Sequence, residues 1–189
     1  IRFSKPFTSV QIDTTAIIKD GDHIGTATIA RFDFDTQKDE QIIVSTAISG
    51  VSTEGAAKNL LAEVPDDNFD KYRNLTRDNW NRQLSKIEIV SNNTDDKVNF
   101  YTALYHSMIA PTIYSDVDGT YYGPDKKTHK TDGWVNYSTF SLWDTFRAAH
   151  PLFTYTEPER ANDMVKSLLL STSKTNAYRY GISMEVKQI

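Results

Sequence analysis

The sequence predicts an α+β chain built in several parts, with strands first and helices after. Three observations carry this. Up to about residue 50 the apolar residues alternate or run in short β-branched blocks, and from Ser52 onward they recur at helical spacing. Further on, Thr156-Glu-Pro-Glu159 reads as a capping box with Pro in the first turn, which marks a helix start.

Thr26–Phe34 alternates, with Ala27, Ile29 and Arg31 on one side and Thr28, Ala30, Phe32 and Phe34 on the other. Gln41–Ile48 is a β-branched run suited to a central strand, and the polar turn Asp35–Glu40 between the two predicts a hairpin. Phe7–Ile18 adds one or two strands, with Lys19–Asp22 as the next turn. Strands at this spacing suggest part of a β-sandwich, though too few are present to close one.

Ala56, Ala57, Leu60, Leu61 and Val64 then predict a helix that Pro65 ends. A second helix, roughly Phe69–Glu88, sets Tyr72, Leu75, Trp80, Leu84 and Ile87 among charged residues and looks like a connector. Asp95–Ile109 is a third, with Val98, Tyr101, Leu104, Tyr105 and Met108 as its apolar stripe. Thr94 is its expected cap, and Asp95 and Asp96 suit the positive end of its dipole. Residues 112–139 form a long Gly-, Asp- and Tyr-rich connection, of a length that is usually functional or forms small strands of its own.

Phe140–Pro151 comes next, expected as a helix that Pro151 stops. Trp143 and Arg147 are four apart and Asp144 and Arg147 three apart, so on a helix all three share a face. Two readings fit: a core Trp beside an ion pair, or an aromatic plate, a carboxylate acceptor and a guanidinium fork facing a hydroxyl-rich ligand. Beyond the capping box, Ala161, Met164, Val165, Leu168 and Leu169 give the last helix a buried stripe.

Composition narrows the function classes. The 189 residues can make one large domain or two small ones. Ten Tyr and three Trp within a 12% aromatic share are compatible with sugar-stacking rings as well as with ordinary cores. A net charge of −4 without a Lys/Arg cluster argues against nucleic acid as a partner. No run approaches the roughly 18–20 apolar residues of a membrane span. With no cysteine, disulfides, thiolate catalysis and cysteine zinc sites are excluded. The start at Ile1, without Met or leader features, leads us to expect a fragment or a processed product.

Asp116–Asp125 resembles a calcium loop in its clustered oxygens, but no acidic residue closes it at the twelfth position, which favours a plain Asp–Gly turn. His23, His106, His129 and His150 lack paired zinc spacing. Three Asn-X-Ser/Thr tripeptides, at Asn74, Asn92 and Asn136, are expected by chance in so Asn- and Thr-rich a chain. There is no Gly-rich phosphate loop and no nucleophile elbow.

Several strings carry a family resemblance: Phe100–Tyr105, Ile109–Gly119, Phe140–Pro151 and Pro158–Met164, and less sharply Ile48–Ser52 and Trp80–Leu84. Through them residues 1 to about 169 resemble glycoside hydrolase family 92, calcium-dependent exo-acting α-mannosidases that invert configuration. The Phe-Ser-Leu-Trp-Asp-Thr-Phe-Arg string and the preceding Ser-Asp-Val-Asp-Gly loop are the specific part. The resemblance implies the end of a β-sandwich with one helix (1–67), a linker helix (68–93) and the first helices of an incomplete (α/α)6 barrel (94–170).

It further implies that Trp143 and Asp144 contact a terminal mannose and that Arg147 supports Asp144, leaving Phe140, Leu142 and Phe146 to pack. Catalytic carboxylates and most calcium ligands would come from later barrel segments, so none is assigned here. The implied partner is a mannose-containing glycan, and the implied location is periplasmic or secreted.

Residues 171–189 depart from the family pattern. Back-translated and read one frame over, the tail from Ala177 can encode LPVWNLYGSETD, which resembles the family continuation. This leads us to expect a frameshift near Leu170 and a poorly ordered tail. Two readings compete with a mannosidase fragment: a non-catalytic carbohydrate-binding or interaction module, and a fragment whose uncovered apolar faces aggregate.

Overall fold

The computed structural model describes residues 1–12, 17–19, 22–24, 29–138 and 140–175. Its order is β1 (Arg2–Phe3), β2 (Ser9–Ile12), β3 (Ile17–Lys19), β4 (Asp22–Ile24), β5 (Ala30–Asp33), β6 (Val44–Ser45), then α1 (Thr53–Glu63), α2 (Phe69–Leu84) and α3 (Thr94–Ser107). A small hairpin comes after them, β7 (Thr120–Tyr122) and β8 (Thr128–Lys130), and then α4 (Leu142–Thr145), α5 (Ala149–Thr156) and α6 (Pro158–Thr175). The order is strands then helices, as expected. The described strands pair only two by two, so they do not by themselves assemble a sandwich.

The expected hairpin between residues 26–34 and 41–48 does not form. β5 pairs antiparallel with β2, from Ser9↔Asp33 to Ile12↔Ala30, and β6 pairs with β1. The reason is aromatic. Phe3 lies 4.9 Å from Phe32, 5.2 Å from Phe34 and 6.3 Å from Phe7, a cluster that needs residues 1–12 beside β5. Lys5 Nζ then closes the polar turn from outside, donating to Asp35 O and to the Glu40 carboxylate. Gln41–Ile48 is no central strand: only Val44 and Ser45 pair, and Val44 is exposed. The turn after Lys19 agrees with the β3–β4 register, Lys19↔Asp22, while residues 20 and 21 lie outside the described set, as do 13–16 of the Phe7–Ile18 segment and 26–28 of the alternating run.

The helices keep closely to their punctuation. Ser52 caps α1 by accepting from Gly55 N, and Asn68 caps α2 by accepting from Lys71 N. α2 ends at Leu84 rather than Glu88 and buries no residue, as befits a connector. The cap of α3 is Asn93, accepting from Asp95 N, and not Thr94, which is already helical. Of the α3 stripe, Leu104 and Met108 are buried and Val98 is exposed, while Tyr105 meets Trp80 edge to face at 4.5 Å.

The connection after α3 makes small strands of its own. Ile113 bridges Tyr137, and Ser138 N donates to Thr112 O, so the two ends of the connection lie together around the β7–β8 hairpin. Its returning arm is held by α6: Tyr137 N donates to Ser167 Oγ at 2.9 Å and Val135 N to Asp163 Oδ2 at 3.0 Å. The main core sits there, where Tyr137, Phe153, Ala161 and Met164 pack together with Val135, Phe140 and Ala149 against them.

Two expectations about the last helices need correction. Pro151 does not stop a helix; it is the third residue of α5. The first-turn N–H groups of a helix have no intrahelical acceptor, so the missing proline N–H is tolerated there. The capping box is also not formed. Thr156 ends α5, its Oγ1 donates back to Leu152 O, and the first α6 bond runs from Ala161 N to Glu157 O. The helix start itself, at Pro158, stands where expected. α6 continues to Thr175, through the first residues of the predicted aberrant tail; residues 176–189 lie outside the described set.

Candidate functional site

Two of the strings singled out in the sequence come to opposite fates. The Ser-Asp-Val-Asp-Gly loop is folded inward. Asp116 is buried; its Oδ2 accepts from Ser49 Oγ at 2.6 Å and its Oδ1 from Asn59 Nδ2 at 2.8 Å. Asn59 is held on three sides, since Nδ2 also donates to Ile48 O and its Oδ1 accepts from Val117 N. These partners fix the amide orientation. Gly119 (φ +82°) donates its N–H to Asp116 O and closes the turn in the left-handed region that glycine accepts without strain.

Gly55 explains why a glycine stands inside α1. A Cβ there would meet Asp116 Oδ2 at 2.5 Å and Ser49 Oγ at 2.7 Å. Helix and loop meet on that missing side chain. Ser49 and Asn59 are not recognisable from spacing, but a Gly inside a helical pattern is itself a signal of close approach.

The Phe140–Pro151 stretch faces outward instead. It is two short helices with a break. Phe146 ends α4, and Ala148 precedes α5 with φ −138°. The single helix that would align Trp143 with Arg147 is therefore interrupted. Trp143 is 76% exposed and Asp144 is exposed beside it on α4. Arg147 makes no ion pair with Asp144 among the described residues; its guanidinium lies 5.4 Å over the Phe146 ring. Within the described residues Trp143 therefore packs in no core. Phe140 packs as expected, Leu142 is half-buried, and Phe146 stays 51% exposed.

His150 anchors this stretch from below. Its ring lies 4.9 Å from Phe140 and 5.7 Å from Phe153, and both nitrogens are buried without a hydrogen-bond partner among the described residues. Burial lowers its pKa from the ordinary value of 6.5, with the Thr145 backbone pulling weakly the other way.

The residues present do not fit calcium. Among the described residues no three His, Asp or Glu side chains converge as metal ligands. In the loop that looked calcium-like, Asp116 is filled by protein donors, and Asp118 accepts from Thr120 N and Oγ1 and from Lys58 Nζ. An ammonium at 3.1 Å occupies the side a cation would need. The same contacts hold the Asp118 carboxyl well below its ordinary range, the Thr120 hydroxyl first among them. The loop is structural.

The sequence model described as the glycosyl hydrolase family 92 catalytic domain matches residues 55–185. The chain belongs to glycoside hydrolase family 92. That match reaches into the tail that the sequence set apart from the family. The family GH92 alpha-mannosidase BT3965 from Bacteroides thetaiotaomicron superposes with a TM-score of 0.75 at 31% identity, over 91% of this chain and 24% of its own. A second structure of that enzyme holds mannoimidazole and matches equally well. The family 92 glycosyl hydrolase ccman5 gives a TM-score of 0.71 at 27% identity, over 95% of this chain and 24% of that one.

Among curated sequences, a secreted glycosidase of Arthroderma benhamiae, itself described as uncharacterized, is 24% identical over 137 residues, 66% of this chain and 18% of that protein. The chain thus spans about a quarter or less of the relatives it matches. The mixed α and β elements described above are therefore the fold of one portion of a family 92 protein. No described helix is long and apolar enough to cross a membrane.

Proposed function

We propose that this chain supplies the front portion of an inverting exo-α-mannosidase, α-1,2-mannosidase-like, which removes terminal mannose from glycans. In this reading residues 1–67 are the end of a β-sandwich, 68–93 the linker, and 94–170 the first helices of an (α/α)6 barrel. The observation that carries it is the exposure of Trp143 and Asp144 at the tip of a packed element, in a family 92 chain. An exposed indole offers a face to the C–H side of a sugar, and a carboxylate with no side-chain partner among the described residues accepts from its hydroxyls. Arg147 supports them from the adjoining turn.

Inversion needs an acid and a base about 6.5–9.5 Å apart, with room for water between them. We assign that pair, and most ligands of the calcium that the family resemblance implies, to later barrel segments outside this chain. The chain alone is accordingly expected to release no mannose from an α-linked mannobiose; release by the purified chain sinks this reading. A periplasmic or secreted location belongs to the same reading, and the secreted relative supports it.

A non-catalytic sugar-binding module is the second reading, and the same exposed pair favours it. Weak mannose binding lost in Asp144→Ala suits both. Joining the chain to its downstream sequence in the alternate frame separates them: calcium-dependent hydrolysis selects the enzyme, and binding without hydrolysis selects the module.

A further inference from the structure

A cleft of about 280 Å³ opens between α2, the end of α3 and α6, lined by Thr76, Asn79, Trp80, Gln83, Met108 and Arg160. None of these residues belongs to the Phe140–Pro151 stretch, so the chemistry of the cleft is independent of the mannosidase reading.

The charge at this cleft is unbalanced. Glu157 is buried, and its Oε1 is taken by Lys86 Nζ, which also donates to Thr156 O at 2.8 Å. Arg160 Nη1 stands 3.9 Å from Glu157 Oε2, too far for a hydrogen bond. One carboxylate thus faces two cations. The guanidinium is nevertheless fixed, because Nε donates to Tyr137 Oη at 3.2 Å and the group lies 5.6 Å over the Tyr137 ring. Its Nη2 has no partner among the described residues, so the fork is held in place with donors to spare.

The neighbours add direction. Asn79 Oδ1 accepts from Arg82 Nη2 at 2.5 Å, which leaves the Asn79 amide N–H groups as donors. Gln83 also lines this wall, with its Oε1 buried out of reach of the cleft. Trp80, steadied by Tyr105, supplies a ring at the same wall.

We propose that this cleft binds a small hydroxycarboxylate of the sugar-acid type, with its carboxylate on Arg160 and Asn79 and its ring against Trp80. The volume, at the lower end of small-molecule pockets, fits one such ring and no more. A neutral sugar leaves the spare guanidinium donors unmatched, and a bare anion leaves the Trp80 ring uncovered.

Calorimetric titration of the full chain with D-glucuronate, D-glucose and sulfate tests this. Glucuronate is expected to bind with a Kd on the order of 1 mM, and glucose and sulfate at least about tenfold more weakly. Arg160→Gln and Asn79→Asp should each weaken glucuronate about tenfold or more, with the far-ultraviolet circular dichroism unchanged. Should Arg160→Gln unfold through loss of the Tyr137 contact, the exposed Asn79→Asp variant decides alone. Glucuronate binding that is undetectable at millimolar concentration, or equal to that of glucose or of sulfate, or unaffected by Asn79→Asp, overturns the proposal.

Discussion

Asp116 and Asp144 lie in the two strings that carry the family resemblance most specifically, yet the structure treats them as opposites. Asp116 is 6% exposed and ends in the hydroxyl of Ser49 and the amide of Asn59. Asp144 sits in solvent beside a Trp that is 76% exposed, with no ion pair among the described residues. A buried carboxylate is tolerated only when its lone pairs are filled, and once filled it has nothing left to offer a ligand. An exposed one keeps its full acceptor capacity. Membership of a specific string therefore does not tell a carboxylate that holds the fold from one left open to solvent; burial and partners do.

The sharpest way to break this contrast is to remove the two carboxylates in turn. Asp116→Ala strands the Ser49 hydroxyl and one Asn59 donor inside the joint between α1 and the loop. We expect it to lower the unfolding free energy in urea by about 3 kcal/mol, the scale of buried bonds to a charged group. Asp144→Ala should change it by less than about 0.5 kcal/mol, as for surface sites generally. Equal losses would erase the distinction.

Gly55→Ala probes the same joint from the helix side. Alanine is normally the better helix former, by about 1 kcal/mol. Here its Cβ would lie 2.5 Å from the Asp116 carboxylate. The overlap should reverse the sign and cost about 2 kcal/mol, typical of overpacking. A stabilised Gly55→Ala variant would show that α1 and the loop are not in contact.

His150 separates the two regions by pH. Its folded pKa lies below the unfolded value of about 6.5, so the unfolded chain binds the extra proton first. Its contribution to stability is therefore complete above pH of about 6.5 and is lost as the pH falls through the folded pKa. His150→Phe should flatten the stability profile over that acid window, and a profile unchanged by the substitution would remove His150 as its cause. Because His150 packs beneath the Trp143 segment and not against the Asp116 joint, acid should loosen the former first.

How much of the fold and the site is legible in the sequence depends on which forces are local. Helices α1, α2, α3 and α6 are readable because apolar spacing, caps and prolines lie within a few residues of what they control. The β pairing is not, since it depends on Phe3 and Phe7 reaching Phe32 and Phe34 across some 25 residues or more of chain. Pro151 misleads because the same residue that terminates a helix interior is harmless in a first turn. Trp143, Asp144 and Arg147 are legible as a string but not as a surface. Their exposure depends on the break at residues 146–148, which no periodicity announces. The cleft beside Arg160 leaves no trace in the sequence at all, because its lining comes from three helices far apart in the chain.

An equally small effect on stability is expected at Trp143, and it is the most telling. A tryptophan in a core costs about 3–5 kcal/mol when cut to alanine. At 76% exposure most of its surface is already in water, so Trp143→Ala should lower stability by little, about 0.5 kcal/mol or less. In the proposed reading a sugar covers this ring, and the neighbouring carboxylate, which has no ion pair among the described residues, accepts from its hydroxyls. Mannose titration of the variant, monitored by nuclear magnetic resonance, completes the test. Lost binding with stability retained assigns the ring to the sugar. A destabilisation of several kcal/mol would instead return Trp143 to the core.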